Sequence, residues 1–108
     1  MPNIERKKLA LTASAGTAYT VPAGKSAVIQ NIIVTNIDGL GPASVDVWWT
    51  DAEDSNARVD LAFQAGVAAA DSLIVAERLH LKAGDTLKAQ ASASGDAVLT
   101  CNILEFPV

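Results

Sequence analysis

The stretch Thr86-Leu87-Lys88-Ala89-Gln90-Ala91-Ser92-Ala93 alternates apolar and polar residues without a break. Successive side chains of a strand point to opposite faces, so Leu87, Ala89, Ala91 and Ala93 share one face and Thr86, Lys88, Gln90 and Ser92 share the other. Alanines on the inner face imply close approach by a neighbouring sheet, which predicts a strand in a two-sheet stack. The turn Ala83-Gly84-Asp85 precedes it and Ser94-Gly95-Asp96 follows it as a hairpin turn, after which Ala97 to Phe106 returns as a long strand.

The same punctuation recurs upstream. Strands are expected over Arg6 to Thr12 and Thr17 to Val21, split by Ala13-Ser14-Ala15-Gly16, with Gly16 available for a positive φ. Pro22-Ala23-Gly24-Lys25 turns the chain, Pro fixing one φ and Gly supplying the next special angle. Ser26 to Ile37 carries apolar residues on both faces, as a central strand or one bending between two sheets would, and Asp38-Gly39-Leu40-Gly41-Pro42 ends it. Ser44 to Thr50 places Val45, Val47 and Trp49 on a core face and Asp46, Trp48 and Thr50 outward. Arg58 to Gln64 places Val59, Leu61 and Phe63 inward. Ala65 to Ala70 reads as a loop, because Gly66 interrupts its alanines and six residues are too few for a helix. Ser72 to Ala76 and Arg78 to Lys82 read as two short strands. The total is about eight strands in an all-β, antiparallel β-sandwich spanning residues 1–108 as one domain.

Composition narrows the function. The 108 residues carry a net charge of −4, and half are apolar, mostly Ala, Val, Leu and Ile, so the core is aliphatic. That charge argues against nucleic acid as a partner, since neutralising phosphates needs clustered Lys and Arg. Three of the eight basic residues, Arg6, Lys7 and Lys8, do sit together in a basic N-terminal segment, residues 1–8. They face solvent or reach an acidic partner surface. No apolar run is long enough to span a bilayer as a helix, and residues 1–8 lack the pattern of a secretory signal, so no membrane anchor is implied and a reducing cytoplasm is expected. The single cysteine, Cys101, has no internal disulfide partner and falls on an apolar strand face.

Chemistry finds little to stand on. His80, the sole histidine, lies between Leu79 and Leu81 without a nucleophile-elbow pattern nearby. One His and one Cys are too few for zinc. Asp51, Glu53, Asp54 and Ser55 have oxygens in part of a calcium-loop spacing, but Asn56 and Ala62 stand where Gly and Glu are required. No phosphate-binding glycine loop is present. No enzyme, metal or cofactor is expected. Trp48 and Trp49 are adjacent and cannot both enter one core; an outward Trp48 packs under a loop of its own subunit or anchors a subunit or partner interface.

Tyr19-Thr20-Val21-Pro22-Ala23-Gly24-Lys25, Trp49-Thr50-Asp51-Ala52, Leu81-Lys82-Ala83-Gly84-Asp85-Thr86-Leu87 and Ala91-Ser92-Ala93-Ser94-Gly95-Asp96 follow one another in an order and spacing that resemble small virion proteins of tailed bacteriophages. The resemblance covers nearly the whole chain and rests on turn and strand signatures. It implies a jelly-roll-like sandwich and a capsid decoration (cement) protein, commonly a trimer, bound to the major capsid protein on the outside of the virion. Trp48, Arg6, Lys7 and Lys8 are then the candidate interface residues. A tail or head-fibre attachment component and a carbohydrate-binding module remain alternatives, and an enzyme would need a polar pocket around His80.

Overall fold

The computed structural model describes residues 3–38, 41–92 and 97–107. Eight strands form in chain order: β1 (Asn3–Ala10), β2 (Gly16–Thr20), β3 (Lys25–Asn36), β4 (Ala43–Asp51), β5 (Ala57–Val67), β6 (Ser72–Leu81), β7 (Thr86–Ala91) and β8 (Ala97–Pro107), with one 3₁₀ turn at Ala52–Asp54. They build two antiparallel four-stranded sheets, ordered β1-β8-β3-β6 and β2-β7-β4-β5. Consecutive strands mostly change sheets, and apart from the β4–β5 hairpin neighbours within a sheet are distant in sequence. This is the jelly-roll arrangement, an all-β sandwich as the sequence predicts.

The alternation that opens the sequence reading does its work in β7. Leu87, Ala89 and Ala91 are buried against Ile29, Ile32, Val34, Leu99, Cys101 and Ile103 of the facing sheet. β3 and β8 run side by side in the middle of the first sheet, from Lys25↔Pro107 to Asn36↔Ala97, so each is paired on both edges. That placement matches the apolar character of both faces of β3. Buried polar groups are paired at each end of the sandwich. Asn36 donates from Nδ2 to the carbonyls of Gly41 and Val67, each at 3.0 Å, and its Oδ1 accepts from Asp38 N at 2.8 Å. Asp85 accepts from Ala52 N and from Lys82 N, both at 2.8 Å.

Several expectations need correction. Phe63 is exposed and Val59 partly so, while Ala62 and Ala65 pack on the core beside Leu61. The pairing of β4 with β5 shifts register twice, between Val45 and Val47 and between Val47 and Trp48, and each extra residue reverses the faces beyond it. Residues 65–67 continue β5 and are not a loop. Ser72–Leu81 is one strand, not two; its irregularity is absorbed at Arg78, with φ 59°, and at a register shift opposite Ile32 and Ile33. Gly16 is not a positive-φ residue. It opens β2 where an added Cβ would stand 3.1 Å from Leu9 Cδ2, so the site needs a small residue for close approach. Gly24 and Gly84 do take positive φ, 75° and 88°, in the two turns read alike from sequence. The turn Ser94-Gly95-Asp96, with Ala93, lies outside the described residues, as do Gly39 and Leu40.

Candidate assembly interface

The basic segment is strand. Asn3 to Lys8 lie in β1, paired residue for residue with β8 from Asn3↔Glu105 to Lys8↔Thr100. β1 is an edge of its sheet. Alternation splits the three bases. Arg6 and Lys8 share the outer face with Asn102 and Thr100, while Lys7 is opposite buried Cys101 and lies 3.9 Å from Glu5. Arg6 Nε donates to Asn102 Oδ1 at 3.5 Å, and Asn102 Nδ2 donates to Asn31 Oδ1 at 2.9 Å, a polar ladder across three strands.

Around that ladder the outer face of β1-β8-β3-β6 mixes apolar residues with Ser26, Thr35, His80 and Thr100. The residues of β8 that alternate with buried Leu99, Ile103 and Glu105 are Val98, Leu104 and Phe106, which remain only half-buried. Val28 and Ile33 of β3 continue the surface. Ile4 at one edge is 77% exposed and Ile74 at the other 60%. The opposite sheet presents Thr20, Thr50, Thr86, Lys88, Gln90 and Asp46 outward, with the Thr50 and Thr86 hydroxyls bonded to each other. Exposed large apolar side chains occur on both sheets, Ile4 and Ile74 on the first and Val59 and Phe63 on the second.

Trp48 belongs to the polar sheet and lies off the core cluster, yet it is only 5% exposed. The Arg58 guanidinium lies 3.9 Å from its ring centroid, and Arg58 Nε also bonds Asp60 Oδ1 at 2.7 Å. The ring is covered from within the chain by strand β5, not by a loop. Trp49 packs on the core edge.

A buried charge ties the two sheets together near the start of β1. Glu105 of β8, 5% exposed, accepts from the Tyr19 hydroxyl of β2 at 2.6 Å and from Asn3 Nδ2 at 3.4 Å, with Lys25 Nζ at 3.6 Å. The Tyr19 hydrogen bond is the main cause holding the Glu105 carboxyl below the usual carboxylate range. Burial, reinforced by Glu105, pushes the Tyr19 phenol well above its ordinary value. No sequence pattern announces this pairing, since its members come from four strands.

A cleft of about 450 Å³ lies at the same end of the sandwich, lined by Gly24, Lys25, Ser26, Glu53, His80, Lys82 and Ala83. Its walls are mostly apolar surface; among the described residues the His80 ring has no side-chain hydrogen bond, and Glu53 is engaged with Lys82 at 3.1 Å. In the acidic loop, Asp51 Oδ1 accepts from Glu53 N at 3.0 Å. Cys101 is fully buried, and desolvation pushes its thiol up to about 11. Native protein is therefore expected to resist iodoacetamide at pH 8 and to label only in denaturant; rapid native labelling would show that the strand pair around it opens.

No protein-family model matches the chain, and no curated protein matches its sequence. Solved structures do share its fold. A chain of the Bacillus endospore appendages, a novel family of disulfide-linked pili, superposes with a TM-score of 0.61 at 14% identity, over 100% of this chain and 88% of that one. A chain of the T13 infectious bursal disease virus (IBDV) particle superposes at 0.59 and 7% identity, over 96% of this chain but 30% of its own. A chain of the acidic stable capsid of Helicobacter pylori bacteriophage KHP30 gives 0.55 and 14% identity, over 99% and 94%. Two of the three come from virus particles. At these identities the likeness is one of fold, and this chain has the sandwich seen in viral shells and in a bacterial pilus.

Proposed function

We propose that this chain is a structural protein of a bacteriophage particle, a capsid decoration (cement) protein that binds the major capsid protein and stabilises the shell as a homotrimer on the virion surface, and that it is not an enzyme. The observation that carries this reading is the apolar surface on the outer face of β1-β8-β3-β6, where Val28, Ile33, Val98, Leu104 and Phe106 are half-buried and Ile4 and Ile74 exposed around the polar ladder, a surface that a partner can cover. The fit of the whole chain to nearly the whole length of a KHP30 capsid chain supports it. Arg6 and Lys8 border that face and steer it toward an acidic shell surface, where rim charges act on encounter and register.

The pilus likeness suggests a second assembly mode, but linkage through disulfides is not open to this chain as folded, because its one cysteine faces the core. A tail or head-fibre attachment role uses the same surfaces at far lower abundance. The deciding experiment is the copy number of this chain in purified particles, by quantitative mass spectrometry against the major capsid protein. Near parity with the capsid subunit is the expected result. A handful of copies per particle moves the chain to the tail or a vertex, and absence overturns the virion reading.

A further inference from the structure

Four strands end the two sheets, β1 and β6 in the first and β2 and β5 in the second. An edge strand leaves half of its backbone donors and acceptors outside the ladder, so folded proteins shorten or bulge such strands against pairing with other chains. Three of the four edges are broken in that way. β2 has five residues and a register shift between Thr17 and Tyr19. β5 shifts register twice against β4 and turns to φ 49° at Gln64. β6 shifts opposite Ile32 and Ile33 and turns to φ 59° at Arg78. β1 is regular: its eight residues pair one to one with β8, from Asn3↔Glu105 to Ala10↔Val98, without a shift or a positive φ. Among the described residues no strand pairs with its other margin.

Side chains decide what can pair there. The outer face of β1 carries Ile4, 77% exposed, then Arg6 and Lys8, neither of them in an ion pair among the described residues. On the inner face Glu5 and Lys7 are paired with each other. Glu105, across the ladder from Asn3, is buried and held by Tyr19, Asn3 and Lys25. β2, on the same side of the sandwich, has no charged residue. Two β1 strands meeting antiparallel about Lys7 set Arg6 opposite Lys8 twice, and like charges directly opposite destabilise a sheet. Charge is therefore the guard that β1 keeps against its own copies. The same two cations favour a strand that brings carboxylates to those positions.

We infer that β1 is a receptor edge, to which an extended acidic segment of a partner protein adds as a further strand of the β1-β8-β3-β6 sheet. The inference rests on the proposed function and deepens it, by naming how an acidic shell partner is held. Backbone hydrogen bonds along β1 supply the attachment, and alternate side chains supply the selection. Running antiparallel to β1, the added segment reads acid-x-acid-x-apolar, with its acids opposite Lys8 and Arg6 and its apolar residue opposite Ile4. The positions between them face Lys7 and Glu5, which are already paired and ask for no charge.

The test is an NMR titration of the full chain with the peptide Thr-Glu-Thr-Glu-Thr-Val-Thr and with the same peptide carrying Lys for Glu. The acidic peptide binds about 10-fold more tightly or better, shifts the amides of β1 and slows hydrogen exchange at alternate residues of that strand. N-methylation of alternate peptide residues separates backbone pairing from charge attraction, because only the set whose N–H groups face β1 abolishes binding. Arg6→Glu combined with Lys8→Glu, at exposed positions that keep the fold by circular dichroism, turns the preference to the Lys peptide. No binding, equal binding of the two peptides, equal loss with both methylated sets, or equal competition by an oligothymidylate of matched charge overturns the inference. Copy number in particles is read separately. A chain abundant in particles that ignores the peptide keeps the virion role without this edge, and a peptide-binding chain absent from particles does the reverse.

Discussion

Trp48→Ala lowers the stability of the chain by about 3 to 5 kcal/mol, the range for deleting a large buried aromatic side chain. The ring is 5% exposed without any partner present, so its removal opens a void in the folded chain. Arg58 loses its ring contact and collapses onto the hole only in part. For a domain of about this size, 1 kcal/mol moves the midpoint by about 4 to 8 °C, so thermal unfolding should shift by more than 10 °C. Arg58→Ala costs about 1 kcal/mol or less, since its pair with Asp60 is exposed and weak. A double-mutant cycle then isolates the stacking itself at about 0.5 to 1 kcal/mol. If Trp48→Ala melts within 2 °C of wild type, the ring contributes nothing to the fold and its conservative place is an interface with another chain.

Tyr19→Phe costs about 2 to 3 kcal/mol, because it removes the short hydrogen bond to an ionised acceptor that is itself buried. Glu105 retains only Asn3 and the more distant Lys25. The same cluster gives stability a pH dependence with a defined sign. A carboxylate whose folded pKa is depressed contributes stability that is present above its unfolded value, about 4.3, and is lost as pH falls through the folded value. Tyr19 acts at the other end. Its folded pKa is raised, so its contribution is whole below the unfolded value of about 10 and is lost as pH climbs past it. Denaturant midpoints measured from pH 3 to 11 should therefore fall at both ends in wild type. In Tyr19→Phe the alkaline fall should shrink to the part owed to the raised Cys101 thiol, and the acid fall should shrink as well. A variant with an unchanged profile would show that other groups set the pH limits.

The strands that could be read from sequence are those in which pairing and pattern agree. β3, β7 and β8 have their buried residues in a plain alternation, broken in β3 only where Gln30 and Asn31 together oppose Asn102. β5 could be read as a strand but not in its faces, which are set by bulges against β4 that leave no mark in composition. A residue such as Phe63 is apolar at a position that would face inward in an unbroken strand, and two register shifts put it outside. The basic cluster was visible as charge but not as strand, since Arg6, Lys7 and Lys8 owe their extended form to β8, some 95 residues downstream. The candidate interface was half visible for the same reason. Trp48 stands out as a residue type, but the guanidinium over it comes from another strand. The outward Leu104, Val28 and Ile4 form a patch only once β1, β8 and β3 lie side by side.

The order β1-β8-β3-β6 sets a schedule for biosynthesis. β8 fills the gap between β1 and β3, so the first sheet has no continuous hydrogen-bonded ladder until the last of the eight strands has left the ribosome. Up to that moment β1 and the long β3 each have an edge open to other chains, and Ile29, Ile32 and Val34 face an incomplete core. At about 5 to 20 residues per second the whole chain is made within roughly half a minute. A nascent chain of this topology therefore spends most of its synthesis as an unpaired template, and a stop or stall before residue 97 leaves a product prone to cross-chain pairing rather than a smaller folded one.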